Sequence, residues 1–339
     1  MKPNAKTLER HSRMLALRDI EEKDLESIMN TTITVVGAGG LGSPALRLLT
    51  SIGFGTIRII DHDVVDLSNL QRQNIYNTED VGTPKVDAAV ANLSKQNPDV
   101  FFEAVAATIR SDNAIELLNG SDIVLDGLDS MDARRAVNAA CLYHGIPYIY
   151  AGALEYYANI STFIPNKTGC LHCLIGDMQD NPENTCVNVG VSTSLLALVA
   201  SIEVREAVLL AIGKEPKLAG RLMHIDVEAL SFDSFEIQRM DSCPVCGIKP
   251  SVPEKQSEIS VTMLCSKSFH VSPPEELNLD LDEIANQWDN KYQVTKRLRS
   301  LTLESGEIKV TLMGRGNAVV EGLKDPDEVL ACYREIVNI

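Results

Sequence analysis

The chain has 339 residues, 45% of them hydrophobic, enough to bury a full core and, on length alone, to form two domains. Its formal charge of −16 excludes general nucleic-acid binding, which needs a basic surface to displace counterions. No apolar run reaches the roughly 18 residues of a membrane span, and the opening residues MKPNAKTLERHSRML lack the features of a signal peptide, so cytoplasm is the expected compartment.

Residues 7–30 read as helical and amphipathic, and 1–30 as an N-terminal helical segment. TTITVVGAGGLG then takes a short β-branched strand into a glycine-rich turn, and SPALRLLTSIG continues as a helix with Pro44 in its first turn. TIRIID is a second buried strand ending at Asp61. A polar stretch, HDVVDLSNLQRQNIYNTEDVGT, leads to a helix opened by Pro84. FFEAVAATI and SDIVLD read as third and fourth strands, MDARRAVNAACLYHG as a helix, and PYIYAGALEYY as a fifth strand. Strands alternating with helices in this way predict an α/β, Rossmann-like, mostly parallel sheet covered on both faces. Beyond Pro165 come a C-x-x-C pair, the polar segment GDMQDNPENTCVNVG, a long apolar helix at 191–213, two paired strands in RLMHIDVEALSFDSFEIQRM, and a second C-x-x-C pair. SVPEKQSE reads as a linker. The remainder predicts a small α+β accessory domain over 258–339: a strand (ISVTMLCSKSFHV), a helix (LDEIANQW), two or three strands within 292–321, and a closing helix. The first domain accordingly spans 31–250.

Gly37, Gly39, Gly40 and Gly42 form G-A-G-G-L-G between strand and helix, where glycine lets backbone approach a phosphate and the helix start offers free N–H groups. Asp61 stands where a carboxylate accepts hydrogen bonds from ribose hydroxyls. Nicotinamide and flavin enzymes share this pattern, so it does not choose a cofactor. The next polar residues are more telling. Asn69, Arg72, Gln73 and Lys85 gather near the strand ends, and two cations there suit a triphosphate whose charge grows as pyrophosphate leaves, although an ordinary solvated loop also carries such charges. Asp129, just past the fourth strand, offers a hard oxygen for Mg²⁺, or a cap for the helix near Met131. Asp126, inside the strand, fits a structural role better.

Of eight cysteines, Cys170/Cys173 and Cys243/Cys246 form two knuckles that together supply the four thiolates of a closed, structural zinc site; a redox dithiol is the rival. His172 lies inside the first knuckle, but four cysteines suffice. Cys141 reads as core. Cys186, in a polar loop before a helix, divides evenly between a chemical role and none.

Taken together, G-A-G-G-L-G, D-H-D-V-V-D-L-S-N-L-Q-R-Q, G-T-P-K, Asp129 and the cysteine pairs resemble the MoeB/ThiF family of adenylyltransferases, relatives of ubiquitin-activating enzymes, from about Arg10 to Gly247. The resemblance implies ATP contacts at Gly40, Asp61, Ser68, Asn69, Arg72, Lys85 and Asp129, with Mg²⁺ on Asp129. Ser130 departs from the asparagine of bacterial members. R-H-S-R matches an element in which Arg13 reaches a partner's nucleotide, implying a homodimer. Cys186 matches a cysteine that some members link to the carrier protein. The implied reaction is attack by the C-terminal glycine carboxylate of a small ubiquitin-like protein ending in Gly-Gly on the α-phosphate of ATP, preparing a thiocarboxylate or thioester, with a sulfur-donor protein as a further partner. The downstream uses the resemblance leaves open are molybdopterin or thiamine biosynthesis, tRNA thiolation and protein tagging. The rival functions are adenylation of a tRNA base or small molecule, nicotinamide-dependent oxidoreduction, and a non-catalytic scaffold.

Overall fold

The computed structural model describes residues 2–180, 188–247, 258–263, 268–297 and 299–338. Two sheets organise them. The first has eight strands: β1 (Thr32–Val36), β2 (Thr56–Ile60), β3 (Phe101–Val105), β4 (Ile123–Asp126), β5 (Tyr148–Leu154), β6 (Tyr157–Phe163), β7 (Arg221–Asp226) and β8 (Ser231–Glu236), in the order β3-β2-β1-β4-β5-β6-β7-β8. Strands β1 to β5 pair in parallel, and β5 through β8 pair antiparallel. The chain builds outward from β1 to β3 and then crosses back to β4. The switch point therefore lies between β1 and β4, and the crevice beyond their carboxyl ends is where such sheets bind ligands.

Helices cover both faces. Gly42–Ile52, Lys85–Gln96 and the long Thr193–Ala211 bury one face against Ile33, Val35, Leu46, Leu49, Ile57 and Leu125. Met131–His144 buries the other with Val36, Val124, Val137 and Tyr148. The N-terminal segment is three short helices, Ala5–Arg10, Ser12–Leu15 and Glu22–Met29, rather than one run. The third is restarted by a reciprocal cap in which Glu21 and Asp24 each accept the other's end of the first turn.

The fifth strand ends at Leu154, three residues before the sequence predicts, and β6 follows through a turn with Glu155 at φ 52°. Strand β6 carries no alternating pattern because both its faces are covered: Ala158 and Ile160 pack with Leu195 and Val199, and Phe163 packs with Tyr148.

The second sheet is antiparallel throughout: β9 (Ser260–Met263), β10 (Phe269–Ser272), β11 (Gln293–Lys296), β12 (Ser300–Ser305), β13 (Ile308–Met313) and β14 (Ala318–Glu321), ordered β11-β12-β13-β14-β10-β9. The single strand expected over 259–271 is thus a hairpin, and the 292–321 stretch holds four strands instead of two or three. Gly306 at φ 60° and Gly316 at φ 93° supply the left-handed turns around β13. Helices Leu281–Trp288 and Pro326–Val337, capped by Asp280 and Asp325, cover one face over Val271, Leu301, Leu303, Val310, Leu312 and Tyr333. Met313 and Val319, on the other side, pack against Val64 and Ala106 of the first sheet's domain.

Candidate nucleotide and metal sites

The glycine loop sits at the switch point. Gly37 takes φ 92°, and a Cβ there would lie 2.4 Å from the Gly127 carbonyl, so β1 and β4 approach too closely for any side chain. Gly42 is tighter still, with a Cβ falling 1.8 Å from the Gly37 carbonyl oxygen. Gly127 N–H donates to Val36 and Gly37 N–H to Ile60, tying the ends of β4, β1 and β2 together. Gly39 and Gly40 are half-exposed above this base.

Asp61 fastens the loop. Its carboxylate accepts from Ala38 N–H at 2.7 Å and from Asp63 N–H at 2.7 Å, which leaves acceptor capacity for hydroxyl donors. Tyr76 supports the same turn by donating to the Ala38 carbonyl at 2.9 Å.

Lys85 opens its helix and is nevertheless buried, with Nζ 2.7 Å from Asp63 Oδ2. Burial pushes both groups toward neutrality, but their attraction wins: Lys85 is held above the usual lysine range, with Asp61 and Asp129 adding to the pull of Asp63. Asp63 is held below the usual carboxylate range. Asp63 is the residue that motif reading passes over. D-H-D spacing is the available signal, since residues two apart in extended chain share a side, but only the fold brings Asp63 to Lys85.

Arg72 is half-exposed beside the loop, its Cδ 3.7 Å from where a Gly40 Cβ would stand, and its guanidinium donates to the Ser68 carbonyl at 2.9 Å. Ser68 and Asn69 shape the turn that presents Arg72. The Ser68 hydroxyl donates to Asp66 at 2.5 Å, and Asn69 Oδ1 accepts from Asp66 N–H at 3.2 Å. Thr193, at the start of the long helix, donates to Gln71 and so braces this turn.

Asp129 is exposed just past the end of β4, and it does not cap the next helix. Ser130 does, accepting from Ala133 N–H at 3.4 Å, while Asp180 accepts from Met131 N–H at 2.9 Å. Asp126, one turn of chain earlier, is fully buried and saturated by Tyr148, Leu128 N–H and Arg134. Arg13 is exposed on its short helix and lies on the surface of this single chain.

The four cysteines converge, every sulfur within 4.8 Å of the others. Cys170–Cys173 is 4.0 Å, Cys170–Cys243 3.9 Å and Cys173–Cys246 3.5 Å. A tetrahedral zinc with Zn–S near 2.3 Å has sulfur–sulfur edges of about 3.8 Å, so this cluster can hold zinc. Disulfides would need about 2.0 Å. His172 turns away, 3.8 Å from Asp177. Cys141 is buried in the core beneath the Met131–His144 helix, and burial pushes its thiol well up. Cys186 and Cys265 lie outside the described residues.

Among the described residues no helix is long and apolar enough to cross a membrane. The profile of the ThiF family matches residues 11–245. A SAMP-activating enzyme E1 from Haloferax volcanii is 34% identical over 245 residues, covering 72% of this chain and 90% of its own. The sulfur carrier protein ThiS adenylyltransferase of Bacillus subtilis is 27% identical over 334 residues, 97% of this chain and 99% of its own, so its likeness extends through the second sheet. Among solved structures, Escherichia coli MccB with ATP matches with a TM-score of 0.63 at 22% identity, over 73% of this chain and 77% of that one, a likeness of fold.

Proposed function

This chain belongs to the ThiF family and is an adenylyltransferase, and from that premise we propose that it activates the C-terminal glycine carboxylate of a small ubiquitin-like protein with ATP. The observation that carries the reading is that Arg72 lies against Gly40 of the glycine loop while buried Lys85 is drawn by Asp63, Asp61 and Asp129, of which Asp61 fastens that same loop. Gly37, Gly39, Gly40 and Gly42 let the triphosphate lie against backbone, Asp61 takes the ribose, and Ser68, Asn69 and Ser130 complete the pocket wall. Three carboxylates, Asp61, Asp63 and Asp129, bear on Lys85, so a bare triphosphate would meet repulsion. Asp129 would hold Mg²⁺, which supplies charge neutralisation when bound.

The attacking carboxylate is already ionised at neutral pH and needs no general base. The chain's contribution is alignment and charge stabilisation: Arg72 and Lys85 draw off negative charge as the bond to pyrophosphate breaks and the acyl-adenylate forms. Arg13 from a second copy adds a third cation, making the working unit a homodimer. The carrier's body docks on the exposed Leu230, Phe232 and Phe235 around β8, and its Gly-Gly tail runs toward the loop that bears Cys186. A sulfur-donor protein would then act on the adenylate. Zinc on Cys170, Cys173, Cys243 and Cys246 is structural, because four thiolates leave no open position.

ATP–pyrophosphate exchange in the presence of small proteins ending in Gly-Gly tests the reading. Arg72→Ala should lower exchange by about 100-fold or more while the fold persists. A purified chain that shows no affinity for ATP but takes up a nicotinamide would sink it.

A further inference from the structure

The second domain does not simply trail from the first. Its contacts with the first domain fall on two stretches: the segment 104–110 after β3, where Arg110 meets Ser272 and Thr108 meets His270, and the chain around Lys85. Residues 63–65 and 82–85 form a small antiparallel ladder off the main sheet, with Val65 N–H on Thr83, Gly82 N–H on Val65 and Lys85 N–H on Asp63, at 2.8, 2.8 and 2.9 Å. This ladder sets Lys85 opposite Asp63, whose carboxylate then meets the lysine Nζ at 2.7 Å. It belongs to neither large sheet; Val65 and Val86 anchor it in the first core, and its outer side is left for the second domain to cover.

The second domain grips it and its flanks from β10, β13, β14 and the connection between β11 and β12. Arg297, between β11 and β12, donates to the Gly82 carbonyl and, at 3.5 Å, to that of Val81. A Cβ on Gly82 would already lie 3.4 Å from that guanidinium. Met313 and Val319 bury Val64. His270 of β10 lies against His62, ring centroids 4.3 Å apart, and bonds Thr108. Arg299 reaches Asp87, in the first turn of the Lys85 helix, at 3.8 Å, and the Ala104 carbonyl at 3.3 Å. Asn317 completes the seam on the Ala106 carbonyl at 3.1 Å. Part of this seam thus rests on the ladder that carries Lys85, on both of its strands and on the first turn of the helix that follows.

We infer that the second domain is a positioning element of the nucleotide site, with Arg297 as its main hold on the ladder carrying Lys85. The inference rests on the adenylation reading. Arg297 touches no nucleotide. It acts through the Gly82 carbonyl, and displacement of the ladder by about 1 Å is enough to cost an order of magnitude or more in a site built on alignment.

The experiment is calorimetric titration of the full chain with ATP and Mg²⁺, paired with amide hydrogen exchange over residues 81–87. Arg297→Ala should weaken ATP binding about five- to tenfold at unchanged stoichiometry, and speed exchange in the ladder. Arg297→Lys, which keeps one donor for Gly82, should restore most of the affinity. Arg299→Ala, at an exposed position that cannot disturb the core, should weaken binding about twofold. Lys291→Ala, which breaks a pair with Glu335 inside the second domain, should change neither reading. A merely structural role would lower the binding-competent fraction and leave the affinity of what remains intact, so a stoichiometry loss at wild-type affinity overturns the inference. So does Arg297→Ala with wild-type affinity and exchange. If the wild-type chain binds no ATP, it is the adenylation reading that falls, and the positioning role with it.

Discussion

Two cation–carboxylate pairs lie at the carboxyl end of the large sheet, and they differ in enclosure: Arg134 and Asp126 are both buried, whereas buried Lys85 pairs with an Asp63 whose side chain is 27% exposed. Arg134 donates to Asp126 at 3.2 Å, to the Leu128 carbonyl at 2.6 Å and to the Ala151 carbonyl at 2.9 Å, and it lies 5.4 Å from the Tyr150 ring. Asp126 in turn accepts from Tyr148 and Leu128 N–H. Among the described residues Lys85 has one ion-pair partner, Asp63, for its three N–H donors. The first corner is closed on both sides: three of the guanidinium's five donors and both Asp126 oxygens are taken by protein groups. The second leaves Asp63 partly open to water and stands beside Asp61, which fastens the glycine loop. Burial of charge by itself therefore does not mark a site; a buried cation whose partner still opens toward the glycine loop's anchor does.

The Arg134–Asp126 corner is also fastened from behind. Leu171 N–H, at the start of the first cysteine knuckle's helix, donates to Asn138 of the Met131–His144 helix at 3.0 Å. Stripping zinc should produce the largest effect, because structural four-ligand zinc contributes on the order of 10 kcal/mol in small domains. Thermal melts with metal content measured before and after chelation check this. A metal-free chain of unchanged midpoint would turn the cluster into a redox dithiol pair and leave the corner with hydrogen bonds alone.

Arg134→Ala comes next. It leaves Asp126 buried and unpaired at a cost of about 3–5 kcal/mol, read as a lowered urea midpoint, while the molecules that remain folded bind ATP as before. Weakened ATP affinity with normal stability would exchange the roles of the two corners. Lys85→Met keeps the volume and removes the charge. It should cut pyrophosphate exchange by about 100- to 1,000-fold, worth about 3–4 kcal/mol of barrier, and lower the urea midpoint less than Arg134→Ala does, because the Asp63 left behind is partly open to water. Retained exchange would make the Lys85–Asp63 pair as structural as its neighbour.

The smallest effect concerns the seam between the domains. Burial, with His62 and Arg110 nearby, holds His270 well below its ordinary value of 6.5. As pH falls through 6.5 the unfolded chain takes up a proton that folded His270 refuses, so its contribution to stability, present above that pH, is lost. The slope is at most about 1.4 kcal/mol per pH unit. Urea midpoints from pH 7 to 5 should fall less steeply for His270→Gln than for wild type. Parallel curves would remove His270 from the seam's energetics.

Much of the first domain is legible in the sequence. Glycines at 37, 39, 40 and 42, an acid at 61 and paired cysteines are local signals, each tied to a backbone conformation or a ligand geometry that few other residues satisfy. The N-terminal helical run reads as continuous because the Glu21–Asp24 cap looks like any acidic helix surface. Strand β6 escapes sequence reading because covering both faces erases the alternation by which strands are recognised, and the second sheet is undercounted because its hairpins are marked by little more than single glycines. Asp129 carries two readings in the sequence, ligand or cap; in the fold the cap belongs to Ser130.

By itself, the order of residues determined the chain's period of strands and helices, the glycine turn, the thiolate count and the family to which these belong, since all are written in neighbours along the chain. Tertiary structure alone decided that Asp63 meets Lys85, that Asp126 and Arg134 close on each other, and that the second sheet reaches back to residues 62–87. Those are contacts the local pattern does not specify, some of them across hundreds of residues, and only packing chooses among the many partners that a lone carboxylate or guanidinium would accept in solution.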